Sequence, residues 1–347
     1  MKIGFIGLGN VGGKLAGSLL RNGFELHVRD LDQDTAKLLL DQGAIWWEST
    51  GSMTREVDVV ITCLPSPEAS AKVMEEADGI LENMRPGMIW AEMSTTDEKE
   101  VKRLGKRVSE KGGEPMDCPV SGGCHRAATG NISIFVGSER STFERAMPLF
   151  QVMGRQILHT GPLGSASVLK VLTNYLASVH LASLGEALMT AKKAGMDLNT
   201  TYEAIRISSG NSFVHETESQ VILNGSRDIN FTMDLVVKDV GIFQEIADRN
   251  QVPLEISPLL LEIFKDGQKR YGDREWSPNI VRRLEERCGE KLLAPGFPSE
   301  IEDDEPEVAG EEVKVRKYLS PSCRDFRNLK WSHCISHPAI LILLTLL

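Results

Sequence analysis

The stretch Gly7-Leu8-Gly9-Asn10-Val11-Gly12 sets three glycines in a G-x-G-x-x-G spacing, behind the apolar run Lys2 to Gly7 and ahead of the amphipathic run Val11 to Arg21. That order of strand, glycine turn and helix suits a diphosphate. The first glycine permits a tight turn, the second lets a pyrophosphate approach the backbone, and the third lets helix and strand pack closely. The phosphates then meet amides at the positive end of the helix. Asp30 closes the next apolar run, 18 residues beyond Gly12, where a carboxylate can accept hydrogen bonds from an adenosine ribose. It would repel a 2′-phosphate and Leu31 supplies no cation, so the pattern favours NAD as cofactor, while Arg29 keeps NADP open. Alone, the glycines would be only a turn; strand, loop, helix and acid in register make them a nucleotide site.

Those residues need a scaffold. From residue 1 to about 160, short apolar runs alternate with amphipathic stretches, which predicts strand and helix units building a mostly parallel, doubly wound sheet. Strands are predicted from Lys2 to Gly7, Glu25 to Asp30, Val57 to Cys63, Met88 to Met93 and Ile132 to Val136. Helices are predicted from Val11 to Arg21, Asp34 to Gln42, Ser66 to Ala77 and Glu98 to Lys111. After Gly161 the strand signal disappears. Ser165 to Lys193 runs without proline into Lys192-Lys193-Ala194-Gly195, a helix stop, and at 1.5 Å per residue would reach roughly 43 Å. Further helices are predicted from Thr200 to Ile207, Asp234 to Arg249, Pro258 to Tyr271 and Pro278 to Arg287. The expected class is α/β: a Rossmann-type domain over 1–162, joined by a long helix to an all-α substrate and dimerisation domain over 163–290. Residues 291–347, opening with an acidic stretch from Glu300 to Glu312 almost without aromatic residues, read as a disordered tail.

Bulk properties narrow the partners. The chain has 347 residues, 41% hydrophobic and 25% charged, which excludes collagen, wholesale disorder and a multi-span membrane protein. The terminal apolar run Ala339 to Leu347 is shorter than the roughly 20 residues that a membrane span needs. A net charge of −10 argues against nucleic acid, leaving a small molecule as the expected partner. Six cysteines without a CxxC pattern point to reduced thiols and a cytoplasmic protein. The amino terminus, Met1-Lys2-Ile3-Gly4, runs into the glycine loop with no secretory signal. Apart from Cys334 and His337, no His stands at metal-ligand spacing from another His or Cys, and no metal is expected.

Five segments in order, over about residues 1 to 290, resemble the β-hydroxyacid dehydrogenases. They are Gly4-Phe5-Ile6-Gly7-Leu8-Gly9-Asn10-Val11-Gly12, with Val11 where Met is common; Glu92-Met93-Ser94-Thr95; and Asp117-Cys118-Pro119-Val120-Ser121-Gly122-Gly123, with Cys118 where Ala is usual. Next comes Gly161-Pro162-Leu163-Gly164-Ser165-Ala166-Ser167-Val168-Leu169-Lys170-Val171-Leu172-Thr173-Asn174, then Phe231 with Lys238-Asp239. Ala166 and Thr173 depart from the family pattern without touching Lys170 or Asn174.

The resemblance implies roles. Lys170 and Asn174 would be catalytic; Ser121, Gly122, Gly123 and Phe231 would bind substrate. Gly7, Gly9, Asn10, Val11, Gly12, Asp30, Leu64, Pro65, Thr95 and Lys238 would hold the cofactor. Elementary chemistry agrees with this. Ser121, Gly122 and Gly123 are small enough for amides and a hydroxyl to converge on a carboxylate. Lys170 and Asn174 share a helix face, and the oxidation of an alcohol needs a base for the hydroxyl proton. Lys170 stands between Val168-Leu169 and Val171-Leu172, and desolvation there disfavours its ammonium form. Lys238-Asp239 could instead be a surface ion pair. His125 and Arg126 follow the glycine pair and offer a contact for a second anionic group. The resemblance thus implies an NAD-dependent oxidoreductase of a small, 3-hydroxyisobutyrate-like β-hydroxyacid, working as a homodimer or homotetramer. The alternatives are an NADPH-preferring reductase of tartronate or succinic semialdehyde, or a catalytically silent nucleotide-binding protein.

Overall fold

A computed structural model of the chain describes residues 1–315. Cys334, His337 and the apolar run 339–347 lie outside the described residues. Among the described residues ten strands form one sheet: β1 (Lys2–Ile6), β2 (Glu25–Arg29), β3 (Ile45–Trp46), β4 (Val59–Thr62), β5 (Ile89–Glu92), β6 (Glu114–Asp117), β7 (Val120–Ser121), β8 (Ile132–Gly137), β9 (Gly154–Gly161) and β10 (Glu311–Glu312). The order is β10-β9-β8-β6-β5-β4-β1-β2-β3, with β7 paired to β8. From β3 to β6 every neighbouring pair is parallel, whereas β8 runs antiparallel to β6 and β7. The strand order reverses between β1 and β4, which opens a crevice beyond their carboxyl ends.

Successive side chains of a strand point to opposite faces, so a sheet covered on both sides is made from strands apolar at nearly every position. Ile3 and Phe5 of β1, Val59 and Ile61 of β4, and Ile89 and Ala91 of β5 join one core cluster with Leu15, Leu19, Phe143 and Phe150 from flanking helices. Ile6, Val60 and Trp90 point the other way, against Met53, Met74, Leu104 and Val108. Both layers are buried and apolar, and that packing fixes the strand ends from which the loops leave.

Beyond β9 the chain is helical: Ser165–Lys193, Leu198–Arg206, Phe213–Asn224, Met233–Arg249, Ile256–Tyr271 and Arg282–Cys288. Leu181, Leu188, Val214, Ile222, Met233, Val236, Phe264 and Val281 share a separate core. Inside it lies a buried ion pair, Arg227 Nη2 to Glu285 Oε1 at 2.8 Å, and Glu285 Oε1 also accepts the Leu292 amide. The helix Phe213–Asn224 lies outside the helices predicted from the sequence and supplies part of the wall of the cavity described below.

The expectation of a disordered tail fails for residues 291–313. Leu292 is buried in the helical core, and the acidic stretch lies along the sheet region, its carboxylates meeting basic side chains there. Glu305 pairs with Arg155 at 3.2 Å and Arg126 at 3.7 Å, Glu307 with Arg21 at 3.3 Å, and Glu312 with Arg140 at 2.6 Å. The short β10 then adds in parallel to β9, so a strand does follow Gly161. Composition within the segment predicted disorder; complementary charge outside it supplies the order.

The long helix is anchored by a residue far away in sequence. Its N-cap, Gly164, is left-handed at φ +90 and has no side-chain cap. Buried Asp117, at the end of β6, takes that role: Oδ1 accepts the Gly164 amide at 2.7 Å, and Oδ2 accepts the Ser167 amide at 2.7 Å and the Ser167 hydroxyl at 2.8 Å. Burial raises the Asp117 pKa, while those hydrogen bonds favour the ionised form. Replacing Asp117 with Ala strands two buried amides, and we expect a loss of roughly 3 kcal/mol, measured by urea denaturation. Wild-type stability in Asp117→Ala would show that the helix start needs no cap.

Candidate active site

A single cavity of about 1110 Å³ runs from the glycine loop to the helical core. That is somewhat larger than the pockets that hold one drug-sized ligand. All the residues that the sequence reading assigned to cofactor, substrate and catalysis line it; the structure brings them together from seven separate segments.

At the nucleotide end each glycine has a distinct reason. A Cβ on Gly7, which has φ +95, would lie 2.3 Å from the Cys63 carbonyl oxygen, and one on Gly12 would lie 2.0 Å from the Gly7 carbonyl oxygen, whereas a Cβ on Gly9 would meet nothing within 4 Å. Gly7 and Gly12 are therefore demanded by the protein's own packing, and Gly9 keeps open the side where a diphosphate would lie. Helix Gly12–Arg21 starts behind it with no side-chain cap; its Gly13 amide donates to the Gly9 carbonyl and its Lys14 and Leu15 amides to the Val11 carbonyl, so the start of the helix offers an anion its positive dipole end. Asp30 Oδ2 accepts the Leu8 amide at 2.6 Å, and Oδ1 accepts the Asp32 amide at 3.2 Å. The carboxylate thus braces the loop while lining the cavity. Arg29 turns toward Trp46, its guanidinium 5.8 Å from the ring centroid, and donates to the Asp30 carbonyl at 2.9 Å. This set of groups fits a dinucleotide. Leu64 and Pro65 close the β4 end, where Ser94 Oγ accepts the Leu64 amide at 2.7 Å.

Ser121, Gly122 and Gly123 turn from β7 into the helix Gly123–Ala128. Gly122 and Gly123 have φ +130 and +87, a conformation that costs glycine little and other residues more. His125 and Arg126, one helical turn on, both pack on Phe213: the His125 ring lies 6.3 Å from it between centroids, and the Arg126 guanidinium sits 5.1 Å over it. Phe231 lines the cavity from the helical side, and its carbonyl accepts the Ser277 amide at 2.8 Å.

At the centre a polar chain crosses from helix to helix to sheet. Lys170 Nζ donates to Asn174 Oδ1 at 2.7 Å, Asn174 Nδ2 donates to Asp239 Oδ2 at 2.6 Å, and Lys238 Nζ donates to the Thr95 carbonyl at 2.9 Å. Lys238 also pairs with Asp239 Oδ1 at 3.1 Å. Lys238-Asp239 is therefore an internal pair, not a surface one. The Lys170 side chain is buried, and its pKa drops from 10.5 to about 8: desolvation dominates, the Asp239 charge opposes it and the Lys238 charge assists. Asp239 orients Asn174 across 65 residues of sequence, a relation that no local spacing reveals.

Similarity to known proteins agrees with this geometry. Residues 2–161 match the family described as the NAD binding domain of 6-phosphogluconate dehydrogenase, and residues 164–284 match the NAD-binding family of NADP-dependent 3-hydroxyisobutyrate dehydrogenase. A 2-(hydroxymethyl)glutarate dehydrogenase from Eubacterium barkeri is 32% identical over 290 residues, covering 83% of this chain and 96% of the relative. An NAD-dependent L-serine dehydrogenase from Pseudomonas aeruginosa is 33% identical over 291 residues, covering 82% and 97%. Among solved structures, the 3-hydroxyisobutyrate dehydrogenase of Mycobacterium tuberculosis with L-serine superposes with a TM-score of 0.74 at 25% identity, covering 82% of this chain and 98% of that one. No helix among the described residues is long and apolar enough to cross a membrane. The nucleotide cradle, the lysine-centred polar chain and these matches converge: this chain belongs to the β-hydroxyacid dehydrogenase family, oxidoreductases that use NAD or NADP on a CH–OH group.

Proposed function

We propose that the protein interconverts a small, 3-hydroxyisobutyrate-like β-hydroxyacid and its semialdehyde, with Lys170 as the general acid and base. The observation that carries this reading is the buried Lys170 ammonium held at 2.7 Å by Asn174 at the centre of the cavity. NAD, when bound along Gly7 to Gly12 with its ribose at Asp30, supplies the hydride acceptor or donor. Ser121, Gly122 and Gly123 bind the substrate carboxylate through amides and a hydroxyl. Lys170 Nζ, when neutral, takes the hydroxyl proton; when charged, it returns that proton to the carbonyl oxygen. Asn174, fixed by Asp239, keeps Nζ aimed at that oxygen. Thr95, through its carbonyl bond to Lys238, and Phe231 shape the space around the reacting carbon.

Arg29 supports a second reading, an NADPH-preferring semialdehyde reductase, because this cationic residue lines the cavity next to Asp30. We further propose a homodimer or homotetramer, on the exposed leucines Leu169, Leu176 and Leu259 of two long helices. The free thiols of Cys63, Cys118, Cys124 and Cys288 suit a cytoplasmic location.

Lys170→Ala should lower turnover of 3-hydroxyisobutyrate by about 10²- to 10⁴-fold while NADH binding, followed by fluorescence titration, stays near wild type. Undiminished turnover would remove Lys170 from this role. Since oxidation needs the neutral amine, its rate should rise with pH through about 8, and the reverse reduction should fall over the same interval. A profile flat from pH 7 to 9 in both directions would contradict the assignment. Asp30→Ala should shift the NAD/NADP ratio of kcat/KM about tenfold toward NADP; an unchanged ratio would mean that the carboxylate does not contact the ribose.

A further inference from the structure

Two helices meet at the wall of the cavity. Helix Gly123–Ala128 supplies Gly123, Cys124, His125 and Arg126 to that wall, and helix Phe213–Asn224 supplies Phe213, Val214 and Thr217. They touch there, with His125 and Arg126 packed on Phe213. Their far ends are joined by a third piece of chain, which lies beyond residue 284, where the family match ends. Leu292 and Phe297 of that piece pack in the helical core, the Phe297 ring edge-on to Tyr202 at 5.1 Å between centroids. The Ala294 amide donates to the Leu223 carbonyl at 2.9 Å, and Asn224 Nδ2 donates to the Phe297 carbonyl at 2.8 Å. Six residues after Phe297, Asp303 Oδ2 accepts the Thr129 hydroxyl and, at 2.8 Å, Asn131 Nδ2. Asn131 Nδ2 also donates to the Glu305 carbonyl at 2.9 Å, and the Glu305 carboxylate reaches Arg155 at 3.2 Å and Arg126 at 3.7 Å.

The helix at the cavity needs such help. It has six residues and ends at Thr129, well short of the ~12 residues below which a helix is marginal by itself. Cys124 and Ala127 bury one face of it. The turn ahead of it contains Gly122 and Gly123, which carry no side chain to hold them, so whatever shifts the helix shifts the turn. Its carboxyl end is tied by Arg21 Nη2 on the Ala128 carbonyl at 3.0 Å and, just beyond, by the contacts of Asp303 and Glu305. The exposed ion pairs contribute little singly. Asn131 is different: it is 4% exposed, and a buried amide that loses its acceptor is left unsatisfied. From Phe297 to Asp303 the chain can extend at most about 20 Å, which limits how far the ends of the two helices can part.

We infer that the segment 291–307 is a brace that sets the gap between the Ser121 to Gly123 turn and the helix Phe213–Asn224, and that Asp303 and Glu305 are positioning residues for substrate binding. Neither is assigned a contact with substrate or cofactor; both act through the helix Gly123–Ala128. The inference rests on the reading of that turn as the site of the substrate carboxylate.

The test uses the full-length protein in three variants. With Asp303→Ala and Glu305→Ala combined, KM for 3-hydroxyisobutyrate should rise about tenfold, while kcat and the Kd of NADH, followed by fluorescence, stay within about twofold. Asp303→Asn with Glu305→Gln keeps an acceptor oxygen at both positions and should hold KM within about threefold of wild type. Glu312→Ala breaks the pair with Arg140 further along the same segment and should leave KM unchanged. Amide hydrogen exchange, read by mass spectrometry on the NADH complex, should quicken about tenfold over residues 122–131 in the alanine pair and stay at the wild-type rate there in Glu312→Ala. Unchanged exchange over 122–131 in the alanine pair overturns the brace. Faster exchange with an unchanged KM, or with kcat and NADH affinity falling together with substrate affinity, overturns the positioning role and leaves a structural one. A conservative pair as impaired as the alanine pair overturns the acceptor roles. Should the wild-type protein turn over no β-hydroxyacid, the hydroxyacid reading falls by itself, and the exchange over 122–131 decides the brace.

Discussion

The carboxylate of Asp117 ends a strand of the parallel sheet and, through three hydrogen bonds, begins the helix that carries Lys170 and Asn174. The same strand leads within a few residues into Ser121, Gly122 and Gly123. One buried group therefore sets the distance between the lysine and the small-residue loop. Main-chain packing alone would leave the helix free to slide, since its start, a left-handed glycine at 164, offers no side chain of its own. With both carboxylate oxygens committed to that start, the helix is registered against the sheet at its amino-terminal end, which is where the reacting groups are needed.

A second set of contacts ties the other wall to the sheet. Lys238 donates to the Thr95 carbonyl, and Arg249, on the same helix, reaches Asp97 at 2.8 Å and Glu98 at 2.7 Å at the start of the helix after β5. Lys238 and Asp239 are neighbours in sequence yet act in opposite directions: one holds the sheet, the other holds Asn174. Lys170 depends on both for its electrostatics. Its ammonium is destabilised by burial and by the Lys238 charge and rescued in part by Asp239, so its proton is loosely held because the surrounding groups are fixed.

Much of this was legible from local patterns. The glycine spacing, the acid after the second strand and the proline-free stretch from Ser165 each report a relation between neighbours in sequence, and strand alternation reports burial on two faces. What stayed hidden depends on distant partners or on weak local signal. The helix Arg140–Met153 carries Pro148 in its interior, which masks it from a reading that treats proline as a stop, and β3, β7 and β10 are two residues each, too short for a period. Helix Phe213–Asn224 mixes Glu, Thr, Ser and Gln among its apolar residues, and part of its surface lines the cavity, so its periodicity is blurred. Asp117 as a helix anchor and Asp239 as an orienting group join positions 47 or more residues apart. The acidic segment was misread because the arginines that order it lie between residues 21 and 155.

That segment also changes what the sheet presents to its surroundings. The outermost long strand, β9, spans Gly154–Gly161, and without β10 its free side would expose a row of unpaired amides and carbonyls, a template on which a strand from another chain can register. Glu311 and Glu312 take up that position, with Val313 donating to the Ile157 carbonyl at 2.8 Å and Gly310 to the Gln151 carbonyl at 2.8 Å. A Cβ on Gly310 would lie 1.9 Å from the Gly154 carbonyl oxygen, so the fit is close enough to admit only glycine there. The chain thus supplies its own strand beside β9, and at two residues, Glu311–Glu312, that strand is a far shorter template for another chain than the eight residues of β9 would be.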